Sequence, residues 1–121
     1  MKEGEHTMKK YYARMMKARC PVDEVSMTSM IPVLQNEIVP HALNDPGALQ
    51  MFFFVDHDEE KGTAEVFSLT IYDSEANLKH AMKEASSDYR FKTLDALQCQ
   101  AIDAKEFDVI AGEIKGNVSF A

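Results

Sequence analysis

The chain has 121 residues, 45% hydrophobic and 27% charged, the proportions of one soluble globular domain with a core of its own. Twenty acidic residues against 13 basic ones leave a formal charge of −7, which argues against nucleic acid or an anionic membrane as the partner. No stretch has the apolar length needed to span a bilayer, and the opening MKEGEHTMKK lacks the apolar core of a secretory signal, so a cytoplasmic protein is expected.

Residues 1–9 read as a flexible polar tail ahead of a single domain over residues 10–121. From Lys10 to Cys20 the pattern predicts a strand, with Tyr12, Arg14, Met16 and Ala18 on one face and Tyr11, Ala13, Met15 and Lys17 on the other. The basic cluster Lys9, Lys10, Arg14, Lys17 and Arg19 is then split between faces rather than gathered into a phosphate-binding stripe. Pro21 ends the strand, and Asp23 can cap the helix after it. Val22 to Leu43 predicts that helix, in which Met27, Met30, Ile31, Leu34, Ile38, His41 and Ala42 form one broad stripe. Pro32 is expected to kink it or to start its second half, and Pro40 to add an irregularity near its end. Asn44-Asp45-Pro46-Gly47 is a turn by composition.

Two strands come next, about Leu49–Asp56 and Thr63–Tyr72, joined by the charged hairpin loop HDEEKG. Met51-Phe52-Phe53-Phe54-Val55 is apolar without a break, so large side chains emerge on both faces of the sheet and both need cover. Each such side chain is worth roughly 1.5–3 kcal/mol when fully buried, against a net stability of about 5–15 kcal/mol for a domain. In the second strand Glu65, Phe67, Leu69 and Ile71 share one face, while Ala64, Val66, Ser68, Thr70 and Tyr72 share a smaller, partly polar one. A face of that kind predicts a cavity rather than a filled core. The neighbouring cluster Asp56, His57, Asp58, Glu59 and Glu60 matches no calcium loop and reads as solvated charge.

Asp73 or Ser74 is expected to cap a second helix with Leu78, Ala81, Met82, Ala85 and Tyr89 on its apolar side. Ser86-Ser87-Asp88 interrupts it, and a further helical piece carries Phe91, Leu94 and Leu97. After a linker around Gln100–Lys105, EFDVIAGEIKG predicts the last strand. The order β-α-β-β-α-β is that of the α+β ferredoxin-like fold: a four-stranded antiparallel sheet with both helices on one face. A second copy of the chain is the economical cover for the other face, giving a homodimer.

Taken together, Pro40, Pro46-Gly47, the Phe-rich strand ending in Val55-Asp56, and Tyr72-Asp73-Ser74-Glu75-Ala76-x-Leu78 resemble the antibiotic biosynthesis monooxygenase family of the dimeric α/β-barrel superfamily. The resemblance spans roughly Lys10 to Ile114. It implies face-to-face pairing of two sheets into a barrel, a pocket between sheet and helices in each subunit, and the activities known in the family: cofactor-independent monooxygenation of aromatic polyketides or quinols, and haem degradation. The family signature runs Glu-x-Trp-x-Ser, an acidic-Ala-Leu helix start, then a His. Here Thr70, Tyr72 and Ala81 stand at the Glu, Trp and His places, the chain has no Trp, and His80 falls one residue out of phase on the solvated side.

Four residues are candidates for chemistry. Tyr72 can orient a substrate or donate to an oxyanion, or be a half-buried strand tyrosine whose hydroxyl reaches the surface. His41 can act as a base, or be held in the last helical turn by the dipole. Arg14 can neutralise an anionic substrate or enolate, or pair with a carboxylate such as Glu113. Asn77 can hydrogen-bond a ligand carbonyl, or stay solvated in the first turn. Tyr12, Phe53, Ser68, Thr70, Met82, Tyr89 and Phe91 are candidate pocket residues, the apolar ones equally plain core. No cofactor or metal is expected: P-loop, dinucleotide and zinc-protease motifs are missing. Cys20 and Cys99, with no C-x-x-C spacing, read as reduced thiols in a cytosolic protein. Two functions are in view: a dimeric monooxygenase-like enzyme acting on a small aromatic or quinol-type substrate, or a non-catalytic dimer that binds a small apolar ligand.

Overall fold

The computed structural model describes residues 10–21, 24–58, 63–83, 92–93, 95–113 and 116. Strand β1 (Tyr11–Pro21) leads into a helical run made of α1 (Glu24–Val33), a π-helical segment (Leu34–Ile38) and α2 (Val39–Leu43). Strands β2 (Ala48–Asp58) and β3 (Thr63–Tyr72), helix α3 (Glu75–Lys83) and strand β4 (Gln100–Val109) complete the order. The sheet order is β2-β3-β1-β4, every neighbour antiparallel, which is the ferredoxin-like α+β arrangement.

The prolines shape the first helical run. Neither Pro32 nor Pro40 can donate a backbone hydrogen bond, and the widened segment Leu34–Ile38 lies between them, closed by Val39 N–H donating to the Leu34 carbonyl. Leu34 and Ile38 are its buried members, while Ile31, expected on the apolar stripe, is exposed. The run ends where Asn44 N–H meets the carbonyls of Pro40 and His41 at 3.2 and 3.3 Å. Gly47, at φ +76°, then turns the chain into β2, and its carbonyl accepts from Asp73 N–H at 2.9 Å. That bond fastens the start of β2 to the end of β3.

Register assigns the sheet's two faces. On the helix side three rows run across the strands: Arg14–Thr70–Met51, Met16–Ser68–Phe53 and Tyr12–Tyr72–Ala48. Further along, Ala18, Cys20 and Val66 join Met30, Leu34, Ile38 and Cys99 in the main core, with Met16, Met51, Phe53 and Leu97 packed against it. A second cluster joins Tyr72, Leu78 and Ala81, flanked by Tyr12 and Ala48. The opposite face presents Phe52, Phe54, Phe67, Leu69 and Ile71 with Met15 and Phe107, and it grades into charge where Lys17 and Arg19 both reach Glu65, at 3.6 and 3.8 Å. Phe54 is 48% exposed and Phe107 44%.

Four expectations are corrected. Strand β4 starts at Gln100 and ends at Val109, so the supposed linker is strand; alternating charges such as Asp103, Lys105 and Glu106 hid it. Met82 is exposed rather than on the buried side of α3, where Leu78 and Ala81 lie. His41, expected on the apolar stripe of the first helical run, is only partly buried. Cys20 and Cys99 are not reduced thiols but a disulfide with Cα atoms 4.2 Å apart. The β1–β4 register explains it: Arg19 lies opposite Gln100, so the next position outward sets Cys20 against Cys99, across 79 residues of sequence. Ala85, Ser86, Ser87, Asp88 and Leu94 lie outside the described residues, as do Tyr89 and Phe91.

Candidate functional site

A cleft opens between the helical run and the sheet, over the small, partly polar face of β3. It is lined by Arg14, Met16, Ile38, Met51, Phe53, Ser68, Thr70 and Tyr72. Each of these except Ile38 comes from one of the three helix-side rows, so the register of three strands builds the floor and the π-helical segment supplies the roof. The reason is one of size. Ser68 and Thr70 are too short to fill the space that their flanking methionines and Phe53 leave, whereas Val66, one step along the same face, is packed into the core.

The cleft holds about 370 Å³ of empty space when its open mouth is counted, and a cavity of about 20 Å³ within. The inner figure is room for roughly one water molecule. A larger guest has to displace side chains, and Met16 and Met51 are suited to that because unbranched thioethers repack at little cost.

Polar groups are few and differ in kind. Ser68 and Thr70 are 7% and 6% exposed, and neither hydroxyl has a hydrogen-bond partner among the described residues. Tyr72 is buried at 1% exposure, so its phenol does not reach the surface. The Nε atom of Arg14 is closed off from solvent. Opposite Arg14 on β4 stands Glu106, whose carboxylate meets Lys79 of α3 at 3.8 Å.

The other candidates are placed differently. Phe53 lines the cleft with Arg14, Ser68, Thr70 and Tyr72. Tyr12 packs on the Tyr72–Leu78–Ala81 cluster beside it. Asn77 is committed elsewhere: its Nδ2 donates to Asp73 Oδ1 at 2.7 Å, its backbone N–H donates to Ser74 Oγ at 3.1 Å, and its side chain lies against Gly47. His41, partly buried with an enclosed Nδ1, lies in the last turn of α2 and not in the cleft lining. Met82 points to solvent. Tyr89 and Phe91 lie outside the described residues. Met16, Ile38 and Met51 were not anticipated as pocket residues; their signal was that they share a face, or a stripe, with residues that were. Among the described residues no group of three or more His, Cys, Asp or Glu is placed to hold a metal, and no helix is long and apolar enough to cross a membrane.

The chain is a ferredoxin-like sheet backed by helices with a cleft between the two layers, and it shares its fold with antibiotic biosynthesis monooxygenase structures. Among solved structures it is similar to a monooxygenase of Streptomyces coelicolor in complex with nanaomycin D, at 18% identity and TM-score 0.53 over 96% of this chain and 100% of that one. It is also similar to a cofactor-independent oxygenase of Streptomyces nogalater, at 6% identity and TM-score 0.52 over 85% and 95%. A protein of unknown function from Nitrosomonas europaea superposes at TM-score 0.58 with 13% identity over 90% and 98%. No protein-family model matches the sequence, and no curated protein does.

Proposed function

We propose that the protein is a cofactor-independent, monooxygenase-like enzyme that holds a small aromatic or quinol-type substrate in the cleft between sheet and helices. The observation that carries this reading is the cleft itself: apolar walls enclosing Arg14, Ser68, Thr70 and Tyr72 in a fold shared with two solved oxygenases. An electron-rich phenol or anthrone supplies the electrons, so that a ring CH2 and O2 become a C=O and water. Arg14 opposes the negative charge of the substrate enolate, and Tyr72 donates a hydrogen bond to the same oxygen. Met16, Met51, Phe53 and Ile38 keep the reacting carbon dry.

The working unit is a homodimer closed through the open sheet face, which Phe52, Phe54, Phe67, Leu69, Ile71 and Phe107 share and on which Phe54 and Phe107 are exposed. A cytoplasmic setting belongs to the same proposal, and the Cys20–Cys99 disulfide is the feature that argues against it.

Oxygen consumption with a panel of quinols and anthrone-type phenols tests the enzyme, wild type against Tyr72→Phe and His41→Ala. Uptake that falls at least about tenfold in Tyr72→Phe and little in His41→Ala is the expected pattern, since only Tyr72 lines the cleft. No uptake across the panel removes the enzymatic reading. The competing reading, a binding module without turnover, is favoured by the small inner cavity and by Ala81 standing where the family carries its histidine. Ligand-induced thermal stabilisation without oxygen uptake decides for it.

A further inference from the structure

We propose that the cleft selects a small aromatic anion, with its carboxylate or phenolate oxygen set against Arg14. The inference rests on the cleft being the substrate site, and adds the charge of the molecule that enters it.

Among the described residues lining the cleft, Arg14 carries the sole formal charge, in a chain whose net charge is −7. Glu106, opposite Arg14 in the β1–β4 register, lies outside the lining and meets Lys79. A guanidinium donates hydrogen bonds and accepts none, while the hydroxyls of Ser68, Thr70 and Tyr72 can all donate. Such a set is complementary to a guest that offers acceptors. Thr70 is the cross-strand neighbour of Arg14, so guanidinium and hydroxyl address the same end of the cleft. Ser68 and Thr70, more than nine-tenths buried as residues, line the same cleft, where their hydroxyls can donate to a bound acceptor.

The rest of the lining fixes the body of the guest. Met16, Met51, Phe53 and Ile38 offer apolar surface and no further donor or acceptor. One flat ring fits this wall once the methionines shift, with a single charged oxygen at the Arg14 end. A neutral guest would further desolvate the guanidinium without supplying an opposite charge, whereas charge-assisted hydrogen bonds are about twice as strong as neutral ones.

The test is calorimetric titration of the intact protein under nitrogen, using two matched pairs that differ in charge: salicylate against salicylamide, and 4-nitrophenolate against 4-nitroanisole. The anion of at least one pair is expected to bind about tenfold or more tighter than its neutral partner, and which pair responds tells carboxylate from phenolate. Arg14→Gln is expected to bring that ratio close to one while the neutral partner's affinity is kept. Arg14→Lys, which keeps the charge and loses the fork, is expected to lower the ratio several-fold, and it serves if the glutamine variant does not fold. The proposal is overturned if neither anion binds, if anions and neutral partners bind within about twofold, or if the preference survives both substitutions. Anion binding without oxygen uptake leaves it standing and removes the monooxygenase reading. Uptake with neutral quinols and no preference for anions does the reverse.

Discussion

Replacing Gly47 by alanine is expected to destabilise the fold by about 2–4 kcal/mol, for two separable reasons. The residue is at φ +76°, where an L side chain costs roughly 1–2 kcal/mol. A Cβ built there also lies 2.8 Å from Asn77 Cγ and still closer to the Asn77 amide nitrogen and the Asp73 carboxylate, so the clamp between those two side chains has to open. Overpacking of that kind costs about 1–3 kcal/mol, and the lower entropy of an unfolded chain with alanine returns about 0.4–1 kcal/mol. For a domain of this size the loss corresponds to a fall in Tm on the order of 10 °C. Because the chain has no tryptophan, urea unfolding is best followed by far-UV circular dichroism, with the midpoint reporting stability and the slope checking that the unfolded state is unchanged. The control is a double-mutant cycle with Asn77→Ala, which takes away part of the obstruction and leaves the backbone term. The two substitutions together should cost less than their sum by about 1 kcal/mol. A Gly47→Ala protein within about 0.5 kcal/mol of wild type would falsify both the left-handed backbone and the close approach of α3 to this turn.

Two further outcomes are expected from the fold. The Cys20–Cys99 bridge closes a loop across 79 residues, for which the chain-entropy model gives about 4–5 kcal/mol, so dithiothreitol should lower the unfolding midpoint markedly. Thiol titration of the denatured, unreduced protein should find none; two reactive thiols there mean that the bridge is not formed. Sedimentation in dilute solution should give twice the 13.7 kDa chain mass for wild type and the single-chain mass for Phe54→Glu, which sets a charge on the open face. A wild-type monomer ends the barrel assembly.

Legibility varied with how local the cause was. The hairpin, the two faces of β3 and the Gly47 turn were readable because alternation and turn chemistry act over a few residues. That the face carrying Ser68, Thr70 and Tyr72 would border a cavity was legible from its smaller, partly polar side chains. Strand β4 was misplaced because its residues from Gln100 to Asp108 are all exposed, and a strand without a buried face has no apolar period to read. The disulfide depends on β1–β4 register, a long-range property that two isolated cysteines do not announce. Asn77 was a candidate donor to a ligand carbonyl; its engagement with Asp73 and Gly47 required knowing that the turn before β2 lies beside α3.

One strand sets up both activities proposed for the sheet. Because side chains alternate, each residue that enlarges one face of β3 leaves the other unchanged. Phe67, Leu69 and Ile71 give the open face bulk that water does not favour, while Ser68 and Thr70 between them keep the helix face shallow enough for a cleft. Shifting β3 by one residue against β1 would exchange these roles, setting phenylalanine under the helices and hydroxyls toward a second copy. The register that places Arg14 beside Thr70 is therefore the same one that aims Phe67 at the open face. Cleft and interface can nonetheless be altered separately, Ser68 and Thr70 for one, Phe54 and Phe67 for the other. Loss of dimerisation in Phe54→Glu should thus leave the anion preference at Arg14 in place, and a preference lost with the dimer would refute their independence.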